Sequence, residues 1–396
     1  MGARAGCRKG VPESIGTWPS APETSTTMWD DTSWLVTQAY LVGFDAVGVA
    51  AVDETTPATE SMFYWLAQGF QAEMDWLQRT RAVRLNPRRR WPDLRAIVVV
   101  ASGYPAWPTL QAPPKGFGRV SCYAWGRDYH RVLGRRLERI VAWARRRWPA
   151  DWFRWYVDTG PVAEKIWAVR AGVGWIGKHG NLIHPRLGSW TFLGVILTSR
   201  PLRPAPHQTV ADRCGTCTRC IDVCPTQAIL APGVVSAHRC ISYWTIEHPG
   251  PIPEAVRPWV GSYLFGCDDC QTVCPWNRWA QAASSFVPVV QRLRISLREA
   301  LWMNEATFHR TFVGTPVHRL GWWRLRRNAL VVIGNHGDAS FIEDLRHFLT
   351  IETDPVLREH AKWALDRLAQ YPTAAGRVGG WADGQIGGEA GVKARR

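Results

Sequence analysis

The chain has 396 residues, 46% of them hydrophobic, and 48 Lys and Arg against 33 Asp and Glu give it a formal net charge of +15. That length supports two or three domains around a substantial core and excludes a disulfide-stapled miniprotein. No apolar run reaches the length of a membrane span, and the positive balance points to a polyanionic partner, although a basic surface also arises as a solvated face.

Residues 1–27 are rich in Gly, Pro, Ser and Thr and contain no apolar signal core, so a disordered extension and a cytoplasmic, membrane-free protein are expected. From Trp29 a helical pattern leads through a turn into a short strand at 43–50. The run 96–101 is continuously apolar between Asp93/Arg95 and Gly103/Pro105, which predicts a buried strand. Val132, Leu133, Leu137, Ile140, Val141 and Ala144 recur at helical spacing and predict a helix over 128–148. Strand character at 153–157 ends at Asp158-Thr159-Gly160, and Pro161 suits the first turn of a helix over 161–171. A further buried strand is expected at 190–197. Residues 28–203 thus read as a mixed α/β (α+β) domain.

Eight of the ten cysteines follow within about sixty residues. Cys214-x-x-Cys217-x-x-Cys220-x-x-x-Cys224-Pro has the spacing of bacterial two-cluster ferredoxins, and Cys240 and Cys267-x-x-Cys270-x-x-x-Cys274-Pro complete the set. In that arrangement the cysteine before the proline crosses to the other cluster. Cys214, Cys217, Cys220 and Cys274 are therefore expected to hold one 4Fe–4S cluster, and Cys224, Cys240, Cys267 and Cys270 the second. Structural zinc suits paired C-x-x-C motifs, but the third cysteine and the Cys-Pro ending favour iron. Two such clusters handle single low-potential electrons from an external donor. The ferredoxin-like segment spans 204–278. Cys7 reads as incidental and Cys122 as a small buried apolar residue.

From 279 to 370 the chain reads as helical. Segments 328–335, 341–349 and 354–365 are apolar on one face, and Asp354-Pro355 opens the last in the manner of a HEAT-like repeat. The Gly-rich tail 371–396 is expected to be disordered. Basic runs lie at Arg88–Arg90, Arg145–Arg147 and Arg324-x-Arg326-Arg327. The last stands beside Trp322 and Trp323, a combination suited to phosphates and unstacked bases, so Arg324, Arg326 and Arg327 are candidate RNA contacts. Asp158, at a strand end, reads either as a helix cap or as a pocket carboxylate.

Several stretches together resemble the epoxyqueuosine reductase (QueG) family. They are Tyr-Ala-Trp-Gly-Arg-Asp-Tyr-His at 123–130, Val-Asp-Thr-Gly-Pro at 157–161, Gly-Val-Gly-Trp-Ile-Gly-Lys-His at 172–179 and Leu-Gly-Ser-Trp-Thr-Phe-Leu-Gly at 187–194, with both cysteine runs and their flanks. Cys122, Val195 and Gly180-Asn181 depart from the family's usual Arg, Glu and Thr-Leu. The resemblance covers about 29–368 and implies two-electron reduction of the tRNA-borne epoxide of epoxyqueuosine to queuosine. It further implies cobalamin as a second cofactor, a monomer, and Asp158 as proton donor with a pKa raised by burial. Arg84, Ser121, Tyr123, Ser242 and Asp268 are expected around cobalamin, and Lys178 and His179 towards substrate, with a structural His179 the simpler reading. A reductive dehalogenase-like enzyme and a ferredoxin-like electron carrier are the competing readings. The first normally carries a twin-arginine signal, and the second needs no large domain ahead of its clusters.

Overall fold

The computed structural model describes residues 30–52, 57–106, 113–204, 210–280, 286–289 and 294–370. The expectations for 1–27, for 371–396 and for Cys7 lie outside the described residues. No described helix is long and apolar enough to cross a membrane.

The first part is built on a four-stranded sheet in the order Ala46–Ala51, Ala96–Gly103, Thr191–Thr198, Phe153–Tyr156. Every pairing is antiparallel, so the mixed domain is of the α+β kind. Ala96–Gly103 is buried along its whole length because both faces are covered. Val98 and Val100 pack with Leu133 and Leu137 of the helix Tyr129–Arg147, while Ile97 and Val99 pack with Trp167 and Ala168 of the helix Glu164–Arg170. Alternation across the strand thus sends successive valines to opposite layers, which is why the run is apolar without a break. Gly48 is required where the first strand meets the end of that second helix, since a Cβ there would collide with the Ala171 carbonyl.

The expected helix over 161–171 begins only at Glu164. Residues 158–163 form an irregular loop instead, because Arg84 donates to Gly160 O (2.9 Å) and Val162 O (3.0 Å) and holds their carbonyls out of helical register. Asp158 adopts a left-handed conformation with φ 59°, uncommon for a residue with a side chain. It caps nothing: the residue before the helix is Ala163, with no side-chain cap.

Three distant segments share a second sheet. Phe117–Val120 lies at its centre, parallel to Tyr263–Phe265 and antiparallel to Arg294–Ser296. The C-terminal part contains helices Trp322–His336, Ile342–Ile351 and Pro355–Gln370. Asp354 opens the last as expected, its Oδ1 accepting from the Val356 and Leu357 amides at 2.9 Å.

The helix Trp322–His336 grips the cysteine-rich part. Arg327 is fully buried and donates to the carbonyls of Trp244, His248 and Gly250 and to Asn328 Oδ1, while Asn328 Nδ2 donates to Thr245 O and Leu264 O. Arg324 donates to Leu320 O, Ile246 O and Arg319 O, and Arg326 to Leu301 O and Glu352. Of the three arginines expected towards RNA, Arg327 is therefore fully buried, while Arg324 and Arg326 are partly buried and bonded to internal carbonyls and one carboxylate. Burial lowers the Arg327 pKa to about 9, with the neighbouring Arg324 charge adding to the effect. Arg327→Ala leaves several buried carbonyls without donors, so it should cost about 3 kcal/mol or more. A urea denaturation series checks this; a midpoint within error of the parent would contradict the clasp.

Candidate redox centres and active-site cavity

None of the described cysteines is in a disulfide. Their mutual influence sorts them into two groups. Burial first, then the charges of Cys214, Cys220 and Cys217, push the Cys274 thiol up to about 11. Cys220 is raised by burial and by Cys214 and Cys217. In the other group burial dominates again: Cys240 is raised further by Cys224, Cys267 by Asp269, Cys270 and Cys240, and Cys270 most strongly by Cys240. Cys220 also acts on Cys270 and so stands between the groups. Crowded, desolvated thiols resist ionisation on their own, and a bound cationic centre supplies the missing counter-charge. Among the described residues no three His, Cys, Asp or Glu side chains converge tightly enough for a single ion.

Cys224, Cys240, Cys267 and Cys270 all contribute to the wall of a cavity of 800 Å³. Tyr104, Tyr123, Tyr129 and Phe192 give it an aromatic side, and Ser121, Ser242 and Asn181 add polar groups. Asp158 opens onto the same space, positioned by a ring of partners. Tyr129 Oη donates to Asp158 Oδ2 at 2.7 Å, His130 Nε2 lies at 3.5 Å and Arg319 at 3.7 Å. Behind it the Asp158 amide donates to Glu164 Oε1 at 2.7 Å.

These contacts fix the charge states. Burial alone would raise Asp158, but His130, Tyr129 and Arg319 outweigh it and hold the carboxyl at about 2. The expected raised pKa is therefore corrected: the resting group is a carboxylate. Burial would lower His130, yet hydrogen bonds and charges of Asp128 and Asp158 lift it to about 9. Glu164, desolvated and facing the Asp158 charge, is pushed up to about 8. At neutral pH the protons thus reside on His130 and Glu164, next to Asp158.

The other expected residues divide. Ser121, Tyr123 and Ser242 line the cavity. Asp268 is not in that wall: its carboxylate is buried and accepts from the Ser121 hydroxyl and the Cys122 amide. Arg84 lines the cavity but commits Nε to Thr80 Oγ1 and its terminal nitrogens to Gly160 and Val162, so it latches the Asp158 loop instead of binding a ligand. Lys178 donates to Gly215 O in the cysteine loop and is absent from the cavity wall. His179 is buried, accepts from the Asn181 amide and is lowered to about 4 by burial, which makes it a neutral wall residue. Reasoning from residues missed Tyr129, His130, Glu164 and Arg319. Tyr129 and His130 lay inside a motif already singled out; Arg319 stood alone, with no local signal.

A family model described as "Epoxyqueuosine reductase QueG, DUF1730" matches residues 84–159, and one described as "4Fe-4S double cluster binding domain" matches 213–277. The epoxyqueuosine reductase of Synechocystis sp. is 41% identical over 290 residues, covering 72% of this chain and 98% of that protein. A crystal structure of an epoxyqueuosine reductase with an epoxyqueuosine-modified tRNA-Tyr stem loop superposes with a TM-score of 0.78 at 28% identity, covering 85% of this chain and 89% of the other. A Bacillus subtilis epoxyqueuosine reductase, whose structure shows its catalytic aspartate loop swung out of the active site, gives 0.76 at 27% identity over 85% of this chain and 89% of that one.

Two outcomes test this electrostatic arrangement. A histidine whose folded pKa lies above its unfolded value stabilises the fold below the unfolded pKa, near 6.5, and loses that contribution as pH rises through about 9. Replacing His130 by Gln should remove about 1–3 kcal/mol of pH dependence between those limits, read from urea midpoints at either end. Unchanged pH dependence would show that His130 titrates normally. Arg84→Met should free the loop 158–162 and raise its amide hydrogen exchange at least about tenfold; unaltered protection would remove the latch.

Proposed function

The chain belongs to the epoxyqueuosine reductase family, and on that premise we propose that this oxidoreductase converts epoxyqueuosine at the wobble position of a tRNA anticodon to queuosine, the last step of queuosine biosynthesis. The carrying observation is that four cysteines of one ligand set and the Asp158 carboxylate face a single cavity. An electron source and a proton-handling group thereby meet one substrate.

The reaction breaks both carbon–oxygen bonds of the epoxide. It leaves a carbon–carbon double bond and one water, and it consumes two electrons and two protons. The electrons enter from an external low-potential donor through the two 4Fe–4S clusters. Cobalamin is the second cofactor, and when bound it supplies a strongly reducing cobalt centre for the epoxide carbon. The cavity suits a broad amphiphilic ring: Tyr104, Tyr123 and Phe192 offer flat apolar surface, and Ser121 and Ser242 offer hydrogen bonds.

The chain's own residues handle the protons. Asp158 is the group that reaches the epoxide oxygen, and it draws its proton from the His130 imidazolium beside it. Glu164 holds a second proton against the same loop. Arg84 keeps the loop in place. Arg319, half exposed beside Asp158, is placed to meet an anticodon phosphate. Arg324 acts indirectly, by fixing the carbonyls of Ile246 and Glu247, two residues of the cavity wall. In this reading 28–203 is the cobalamin-binding catalytic part, 204–278 the ferredoxin-like part and 279–370 a HEAT-like helical part towards tRNA, within a monomer.

The test is anaerobic incubation of reconstituted protein, cobalamin and a chemical reductant with tRNA carrying epoxyqueuosine, followed by nucleoside mass spectrometry. Loss of one oxygen mass, dependent on cobalamin, is expected. Absence of conversion with both clusters intact and corrin bound would reject the substrate. Asp158→Asn should keep clusters and corrin yet lose about a hundredfold or more in turnover. Full activity in that variant would remove Asp158 from proton transfer.

A further inference from the structure

We propose that a small acidic electron-transfer protein docks on the face carrying Cys214, Cys217 and Cys220, over an open groove between the short helices Arg219–Asp222 and Asp269–Thr272, and delivers electrons there. This rests on the reading of the eight cysteines as two clusters. The groove, 610 Å³ in volume, has Cys274 in its wall.

The first argument is electrical order. All four cysteines of one set line the active-site cavity, whereas the only cysteine in the groove wall belongs to the other set. The two cavities share no lining residue. An electron entering at the groove therefore meets the outer cluster, then the inner one, then the cavity, and the donor never competes with the substrate for space.

Exposure is the second argument. Arg213, Gly215, Thr216, Thr218 and Arg219 are exposed, so the chain that carries Cys214 and Cys217 runs at the surface. A redox partner can approach that set closely without any rearrangement.

Charge identifies the partner. Arg219 and Arg278 line the groove, Arg213 is exposed next to Cys214, and none of the three is paired with a carboxylate among the described residues. Two carboxylates share this face and keep their charge, Asp212 Oδ1 accepting from the Cys214 amide at 2.8 Å and the groove residue Asp222 accepting through Oδ2 from the Thr218 hydroxyl at 2.7 Å, so the arginines exceed them by one. Trp279, 67% exposed, adds an indole next to Arg278. Unpaired arginines around an exposed aromatic form the kind of patch that anchors a partner. Encounters between redox proteins are small and steered by complementary charge, so this patch size is adequate for an acidic donor. RNA is the less favoured occupant, because the reacting nucleotide has to reach the other cavity.

The experiment uses the full chain with both clusters reconstituted and a reduced acidic ferredoxin as probe. Cluster bleaching is followed by stopped flow, a readout that needs neither cobalamin nor epoxide turnover. Arg219→Glu with Arg278→Glu should slow reduction by ferredoxin at least tenfold at low ionic strength and flatten its salt dependence. Arg219→Gln with Arg278→Gln should fall between, while dithionite reduces all forms alike and iron content stays constant. An unchanged ferredoxin rate would overturn the proposal, as would an equal loss with dithionite. Loss of tRNA stem-loop binding in place of ferredoxin reduction would assign the face to RNA. Failure of epoxyqueuosine conversion with normal ferredoxin reduction would leave the docking face standing and reject only the substrate.

Discussion

The organisation of this protein depends on one polar clasp that is fully removed from water. Arg327 and Asn328 sit in the second turn of the helix Trp322–His336 and reach into the segment 244–250, donating to carbonyls within and beyond its short helical turn. Tyr243–Glu247 is a single widened, π-type helical turn, a geometry common at functional sites because it re-aims side chains. Just before it come Cys240 and Ser242; within it, Ile246 and Glu247 face the cavity. An orphaned buried carbonyl costs about 1–3 kcal/mol. The turn is therefore held by donors that only the C-terminal helix provides. The cavity wall is built by the cysteine-rich part but stabilised from outside it.

The same dependence governs the proton machinery. Asp158 comes from the loop after a strand of the first sheet, Tyr129 and His130 from the start of the helix preceding that strand, and Arg319 from the turn before the C-terminal helix. A carboxylate among two cationic groups and a phenol is stable as an anion, and the proton waits on the imidazole. This arrangement separates storing a proton from delivering it. Moving the Asp158 loop would change its charge balance at once, because its partners sit on two other elements, the helix Tyr129–Arg147 and the turn that carries Arg319. The left-handed backbone at Asp158 and the Arg84 latch show that the inward position is maintained against local preference.

What could be read from the chain follows the range of the forces involved. A double-cluster domain was legible because thiolate spacing around a cluster is a local covalent constraint, and the double-cluster family model matches the same stretch, 213–277. The buried strand at Ala96–Gly103 and the helix at Tyr129–Arg147 were legible because apolar periodicity reports the layers directly. Asp158 could be located, since a strand end is a local feature. Its ionisation state could not, because Arg319 and His130 reach it only through the tertiary fold. The surroundings of Arg324, Arg326 and Arg327 are hidden from the sequence for a related reason. A run of arginines looks the same in sequence whether its guanidiniums meet water, phosphate or buried carbonyls. Asp268 is harder to read, because its neighbour Cys267 lines the cavity while its own carboxylate is taken up by the Ser121 hydroxyl and the Cys122 amide.

The small sheet that joins Phe117–Val120 to Tyr263–Phe265 and Arg294–Ser296 shows why no one part could carry the chemistry. Its central strand leads directly into Ser121 and Tyr123, on the aromatic side of the cavity. Its parallel partner leads into Cys267 and Cys270, on the electron-supplying side. Backbone hydrogen bonds between the two strands thus fix the spacing between the aromatic wall and the inner cysteine set, and Asp268 repeats the link by bonding Ser121 and Cys122. A flexible tether between a redox module and a catalytic module would leave that spacing variable, and electron transfer weakens steeply with separation. A shared sheet makes it a property of the backbone, so the distance an electron crosses into the cavity is set when the chain folds and not when the substrate binds.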